Sequence, residues 1–194
     1  MKLLLVKHSI SNHNPHQPAH EWGLTDEGVI RCQALATHLA PYHPRRLFAS
    51  TMPKALHTAQ EVSQAFDNIP VIENLLLEEH SRKSNAPYGS TETFHALIKQ
   101  MFEQPDTLIY GDETANEALH RFSRGIDAVL KQADADENVV VVAHGTVNTL
   151  FTAHHNTIDS YDLWLRLKLP SVIVLDLPSF TLKSVIDDAG ILSS

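Results

Sequence analysis

Apolar residues in this chain fall into short unbroken runs separated by stretches of helical spacing. Leu3, Leu4, Leu5 and Val6 make one run of strand length, and residues 138–143, NVVVVA, make the clearest one. Runs without polar alternation predict strands covered on both faces, as in a parallel sheet. Residues 46–49 and 69–72 supply shorter strand candidates. Residues 171–177 and 182–186 predict two more, joined across Pro178 to Phe180 as a hairpin at one side of the sheet.

Between these runs the spacing is helical. Thr25 can cap a helix whose first turn holds Asp26 and Glu27, with Ile30, Ala34, Leu35 and Leu39 as its apolar stripe and an end before Pro41. Pro53 suits the first turn of a second helix carrying Lys54, with Ala55, Ala59, Val62 and Phe66 on one face. Residues 91–102 and about 112–132 predict two further helices, and Val147, Leu150 and Phe151 another. The segments 9–23 and 75–90 lack periodicity and read as loops. Strands alternating with helices predict a three-layer α/β/α sandwich with a mostly parallel central sheet. With 194 residues, no linker and no repeat, residues 1–194 read as a single domain.

Composition narrows the function classes. A formal charge of -8 argues against a general nucleic-acid binder, which needs a basic face. It leaves room for a small phosphorylated ligand, since a few cations focused in a cleft outweigh the average surface. Cys32 is the single cysteine, so an internal disulfide is impossible, a cysteine-based zinc site is disfavoured and a reducing cytoplasm fits best. The first apolar run is too short for a signal peptide, and none reaches the roughly 20 residues of a membrane span. No membrane association is expected.

Two of the buried strands end alike, in Lys7-His8-Ser9 and in Ala143-His144-Gly145. In open α/β sheets ligands bind beyond the carboxyl ends of the strands, so neighbouring strands would bring both imidazoles into one crevice. Imidazole serves as nucleophile, acid/base group or metal ligand. A single strand-end histidine is more often structural, and lysines such as Lys7 and Lys54 are more often solvated surface cations. Arg82 and Lys83 read as a solvated charge pair, and Trp22 and Trp164 as packing residues.

The segments LLLVKHS, GLTDEGVIRCQALATHL, FASTMPKALHTAQ and VVVVAHGTVNTLF, in that order, resemble the histidine phosphatase superfamily in its phosphoglycerate-mutase-like branch. The resemblance covers essentially the whole chain. It implies that His8 is a phosphorylatable nucleophile, that His144 is the second catalytic histidine, and that Lys7 and Lys54 occupy the places of two phosphate-binding arginines. Glu79, in Leu77-Glu78-Glu79, falls where the family has its proton donor, with Glu78 as the fallback. By the same resemblance Ser11 and Asn14 fall at phosphate-contacting positions, and the Gly111-Asp112-Glu113 turn implies that Glu113 borders the pocket. Ser9 replaces a glycine, and its hydroxyl could reach a phosphate. For Glu79 to hold a proton near pH 7 its pKa must be raised, by burial or by the charge of the phosphate.

The implied reaction is phosphomonoester hydrolysis through phospho-His8, on a small phosphorylated molecule or a phosphoprotein side chain, with no cofactor and no metal. Arginine grips two phosphate oxygens in a rigid fork whereas lysine is a flexible point charge, so a catalytically weak or inactive phospholigand-binding module is a second reading. Mutase-type phosphoryl transfer is a third, disfavoured by the short 75–111 region. His13, His16 and His20 invite a metal reading, but Pro15 and Pro18 break the helix that would gather them and no acidic cluster completes the set. Whether the protein is a monomer or a dimer is not encoded in these features.

Overall fold

The computed structural model describes residues 1–12, 21–82 and 90–191. Asn14, the histidines at 13, 16 and 20, and Lys83 lie outside the described residues. Six strands, β1 (Lys2–Lys7), β2 (Leu47–Ala49), β3 (Val71–Glu73), β4 (Val139–Ala143), β5 (Ser171–Asp176) and β6 (Thr181–Ile186), form one sheet in the order β3-β2-β4-β1-β5-β6. The four strands β3, β2, β4 and β1 run parallel, while β5 and β6 add an antiparallel edge. This is the predicted mostly parallel α/β/α sandwich.

The unbroken apolar runs mean what the pattern implied, since alternate residues of one strand enter different cores. Leu3, Leu5, Val139, Val141 and Ile173 pack beneath α4 (Ala115–Leu130) and α5 (Gly145–His155), against Phe122, Ile126, Val147 and Phe151. Leu4, Val6, Val140, Val142 and Val172 pack beneath α1 (Asp26–Leu39) and α2 (Pro53–Gln64), against Cys32, Leu35, Ala59 and Val62. The remaining helices are α3 (Thr91–Glu103) and α6 (Ser160–Arg166).

Helix boundaries follow local chemistry. Thr25 caps α1 by accepting from the Gly28 amide, and Thr114 and Glu117 form a reciprocal capping box at the start of α4. Two expectations fail. The buried face of α1 is Gly28, Cys32, Leu35, Ala36 and Leu39, and Ile30 is 65% exposed, because the helix is rotated to press Gly28 against the loop after β1. The short helix α6, capped by Asp159 accepting from the Asp162 amide, was not anticipated. Its seven residues are too few to display a periodic stripe.

Candidate active site

The parallel strands β3, β2, β4 and β1 each end at the same edge and release one part of a polar cluster there. Glu79 follows β3, Ser50 and Lys54 follow β2, His144 follows β4, and Lys7 and His8 end and follow β1. Lys7 is in register with Ala143, so His8 and His144 emerge side by side, and their ring centroids lie 5.3 Å apart at 64°. The ladder continues past the strands: the His8 amide donates to the Ala143 carbonyl, and the Ser50 amide to the Val142 carbonyl.

His8 Nδ1 lies 2.7 Å from the Ser9 carbonyl oxygen. A carbonyl only accepts, so Nδ1 carries the ring proton and Nε2 keeps the lone pair. Burial, then the positive charge of Lys54, holds the His8 pKa well below the ordinary imidazole range. His8 is therefore a neutral imidazole at pH 7. His144 is fully buried and is held neutral by burial, then by Lys54 and Arg82. Its Nε2 meets Ser50 Oγ at 2.8 Å, while Nδ1 has no protein partner among the described residues. A buried nitrogen without a partner costs about 1 to 3 kcal/mol.

Lys54 is only 8% exposed and sits in the first turn of α2, with Nζ 5.8 Å from the centre of the Trp22 ring. Trp22 thus stands beside a site cation, whereas Trp164 packs with Phe94, His95 and Tyr161 as expected. Lys7 Nζ donates to the Leu167 carbonyl at 2.7 Å and runs along Gly145, where an added Cβ would meet Lys7 Cε at 3.1 Å. Neither lysine is a solvated surface cation. Burial pushes both pKa values down to about 8 against the opposing pull of Glu79.

Glu79 is the carboxylate the cluster holds. Its Oε1 accepts from the His80 and Val147 amides and its Oε2 from the Thr146 amide, at the positive end of α5. Burial alone would raise its pKa, but Arg82, the His80 and Thr146 amides and Lys54 outweigh burial and hold it below the ordinary carboxylate value. The expected upward shift is absent, because a helix terminus and two cations meet a single carboxylate. Glu78 instead accepts from Thr51 Oγ1 at 2.7 Å. Glu113 pairs with Arg121 and accepts from the Ser81 amide, and Arg121 donates to the carbonyls of Leu76, Glu78 and Glu79, so the two together brace the segment that bears Glu79.

Ser9 and Arg82 differ from expectation. The Ser9 hydroxyl donates to the Gly28 carbonyl at 2.7 Å, and the Ser9 amide donates to Thr58 Oγ1, so the hydroxyl is committed to packing the loop on α1 and α2. Ser9 also lies outside the left-handed backbone region, so glycine is not needed there. Ser11 forms an isolated antiparallel bridge with Leu24 at the start of its loop. Arg82 is no solvated cation: it lies over the rings of Phe94 and Tyr110, at 5.1 and 5.7 Å, and donates to Thr146 Oγ1. No helix among the described residues is long and apolar enough to cross a membrane. No group of three or more metal-ligating side chains occurs among them either.

A 2,3-bisphosphoglycerate-dependent phosphoglycerate mutase of Cytophaga hutchinsonii is 25% identical over 174 residues, covering 83% of this chain and 80% of the mutase. Among solved structures, Bacillus stearothermophilus YhfR superposes with a TM-score of 0.73 at 19% identity, covering 99% of this chain and 98% of its own. A mycobacterial glucosyl-3-phosphoglycerate phosphatase complexed with VO3 superposes with a TM-score of 0.73 at 16% identity, covering 96% of this chain and 98% of its own. The sequence profile of the histidine phosphatase superfamily, branch 1, matches residues 3–181, and the chain belongs to that superfamily.

Proposed function

We propose that this protein is a phosphatase that hydrolyses a phosphomonoester, on a small molecule or a protein side chain, through a phosphohistidine at His8. The observation that carries the reading is the fixed tautomer of a buried, neutral His8, whose Nδ1 is bound to the Ser9 carbonyl while its ring stands against His144 amid Lys7 and Lys54. Nε2 attacks phosphorus and the bond to the leaving oxygen breaks, while Lys7, Lys54 and His144 stabilise charge on the other phosphoryl oxygens. Ser11 and Asn14 are the further phosphate contacts that the family pattern suggests.

Glu79 gives the leaving oxygen its proton, then takes one from the water that cleaves the phosphorus–nitrogen bond, releasing inorganic phosphate and neutral His8. The carboxyl is ionised in the ligand-free protein, so its proton is taken up together with substrate, whose negative charge beside Glu79 raises the affinity for that proton. Incubation with an aryl phosphate tests the reading. Release by the wild type that falls at least a thousandfold in His8→Ala, with a phosphoenzyme labile to acid and stable to base, is the expected result, whereas equal rates would sink it.

The second reading, a phospholigand-binding module without turnover, draws on the two lysines and on the grip of three backbone amides on Glu79. It predicts thermal stabilisation by phosphate with no product from any ester tried. Mutase-type transfer is separated from hydrolysis by following whether the phosphoryl group of a phosphoglycerate moves to a second hydroxyl or appears as inorganic phosphate.

A further inference from the structure

Arg82 is the cation of this cluster that the recognisable motifs do not account for. It follows Glu79 by three residues, and both side chains are anchored on Thr146, two residues beyond His144. The Thr146 amide donates to Glu79 Oε2 at 3.1 Å, and Arg82 Nη2 donates to Thr146 Oγ1 at 2.9 Å. The guanidinium carbon lies 5.1 Å from the Phe94 ring centre and 5.7 Å from that of Tyr110, so the side chain is held against aromatic faces rather than trailing in solvent.

A third anchor fixes its direction. Arg82 Nε donates to His80 Nδ1 at 3.3 Å, while His80 Nε2 lies 2.8 Å from the Glu113 carbonyl oxygen. Because that carbonyl can only accept, Nε2 bears the proton and Nδ1 is left as an acceptor facing Arg82. His80 is 2% exposed and fits only because position 111 is glycine: a Cβ there would come within 2.5 Å of His80 Cε1, and the backbone φ of +99° is one that other residues rarely adopt.

Among the described residues the groups that receive a hydrogen bond from Arg82, an imidazole nitrogen and a hydroxyl, are both neutral and do not cancel its charge. That charge is felt at Glu79, His144 and Lys54 alike. We propose that Arg82 is a phosphoryl-binding arginine of this site, oriented by neutral His80, and that it supplies the planar fork which Lys7 and Lys54 cannot. The assignment rests on the reading of the cluster as a phosphoryl site. A guanidinium stays charged at every physiological pH and can grip two oxygens at once, so a single arginine arriving from the 78–82 segment restores the geometry that two lysines loosen.

Calorimetric titration with inorganic phosphate, which needs no turnover, separates the two claims. The proteins compared are the wild type, Lys54→Ala, Arg82→Gln, Arg82→Lys and His80→Asn, each first shown folded by circular dichroism. Arg82→Gln keeps polar reach toward Thr146 without charge, and His80→Asn keeps an acceptor near the Nδ1 position. The expected result is weakening of roughly tenfold or more in Lys54→Ala and in Arg82→Gln, a smaller loss in Arg82→Lys, and near-wild-type binding in His80→Asn. If Lys54→Ala weakens binding and Arg82→Gln stays within twofold of wild type, Arg82 is only a structural tie and the assignment is wrong. If neither substitution weakens binding, the phosphoryl-site reading itself falls.

Discussion

Lys7 and Lys54 give this site a dependence on pH that arginines would not. Each has its pKa pushed by burial from 10.5 down to about 8, so the charged forms prevail at pH 7 and are lost as pH rises through 8. On the proposed reading phosphate binds the charged forms, so its affinity is expected to hold up to about pH 8 and then to decline, by up to tenfold per pH unit for each lysine titrating. Inorganic phosphate measured as a competitor of an aryl ester between pH 7 and 9.5 shows this decline. Lys54→Arg makes it shallower, because one of the two titrating cations no longer loses its proton. The residues that the sequence reveals at this scale are those fixed by their own element: His8 and His144 by strand ends, Lys54 by a proline-started helix. Arg82 was not legible, since its place depends on Phe94 and Tyr110, distant in sequence, and on the tautomer of His80. The ionised state of Glu79 was hidden for the same reason, because the Thr146 and Val147 amides that hold it belong to α5.

Among the elements, α5 meets the polar cluster at both Lys7 and Glu79. Its first residue, Gly145, leaves the space along which Lys7 runs, with Lys7 Cδ and Nζ at 3.4 Å from where a Cβ would stand. Those neighbours are the far end of a flexible side chain, so Gly145→Ala is expected to fold with little change in Tm while phosphate binding weakens severalfold as Lys7 is displaced. Gly28 presents the opposite case. A Cβ there would stand 2.2 Å from the Ile10 carbonyl oxygen, which is backbone, so Gly28→Ala is expected to cost about 2 kcal/mol or more in a denaturant titration. On the same helix, Ile30→Ser should change stability by no more than about 0.5 kcal/mol, whereas Leu35→Ala should cost about 2 to 5 kcal/mol. This pair checks the rotation of α1 directly. Thr25 and Pro53 placed the starts of α1 and α2 from the sequence alone, but an apolar residue such as Ile30 at helical spacing does not reveal which of two adjacent stripes the tertiary packing selects.

At the scale of the molecule, a strongly acidic protein gathers Lys7, Lys54 and Arg82 at one sheet edge, where burial keeps their fields from being averaged away by the -8 charge of the whole. The sheet order was only partly foreseeable. Unbroken apolar runs imply a covered parallel sheet, and two similar strand ends suggest neighbours, but nothing local to Lys2–Lys7 tells that β1 lies between β4 and β5. That placement has a consequence for biosynthesis. β1 is synthesised long before the strands that flank it on either side, since it pairs with Val139–Ala143 and Ser171–Asp176. Until both have been made β1 is an exposed apolar segment, and a chain cut short before β4 lacks His144 as well. Translation arrested before residue 139 should yield chains that bind chaperones rather than phosphate.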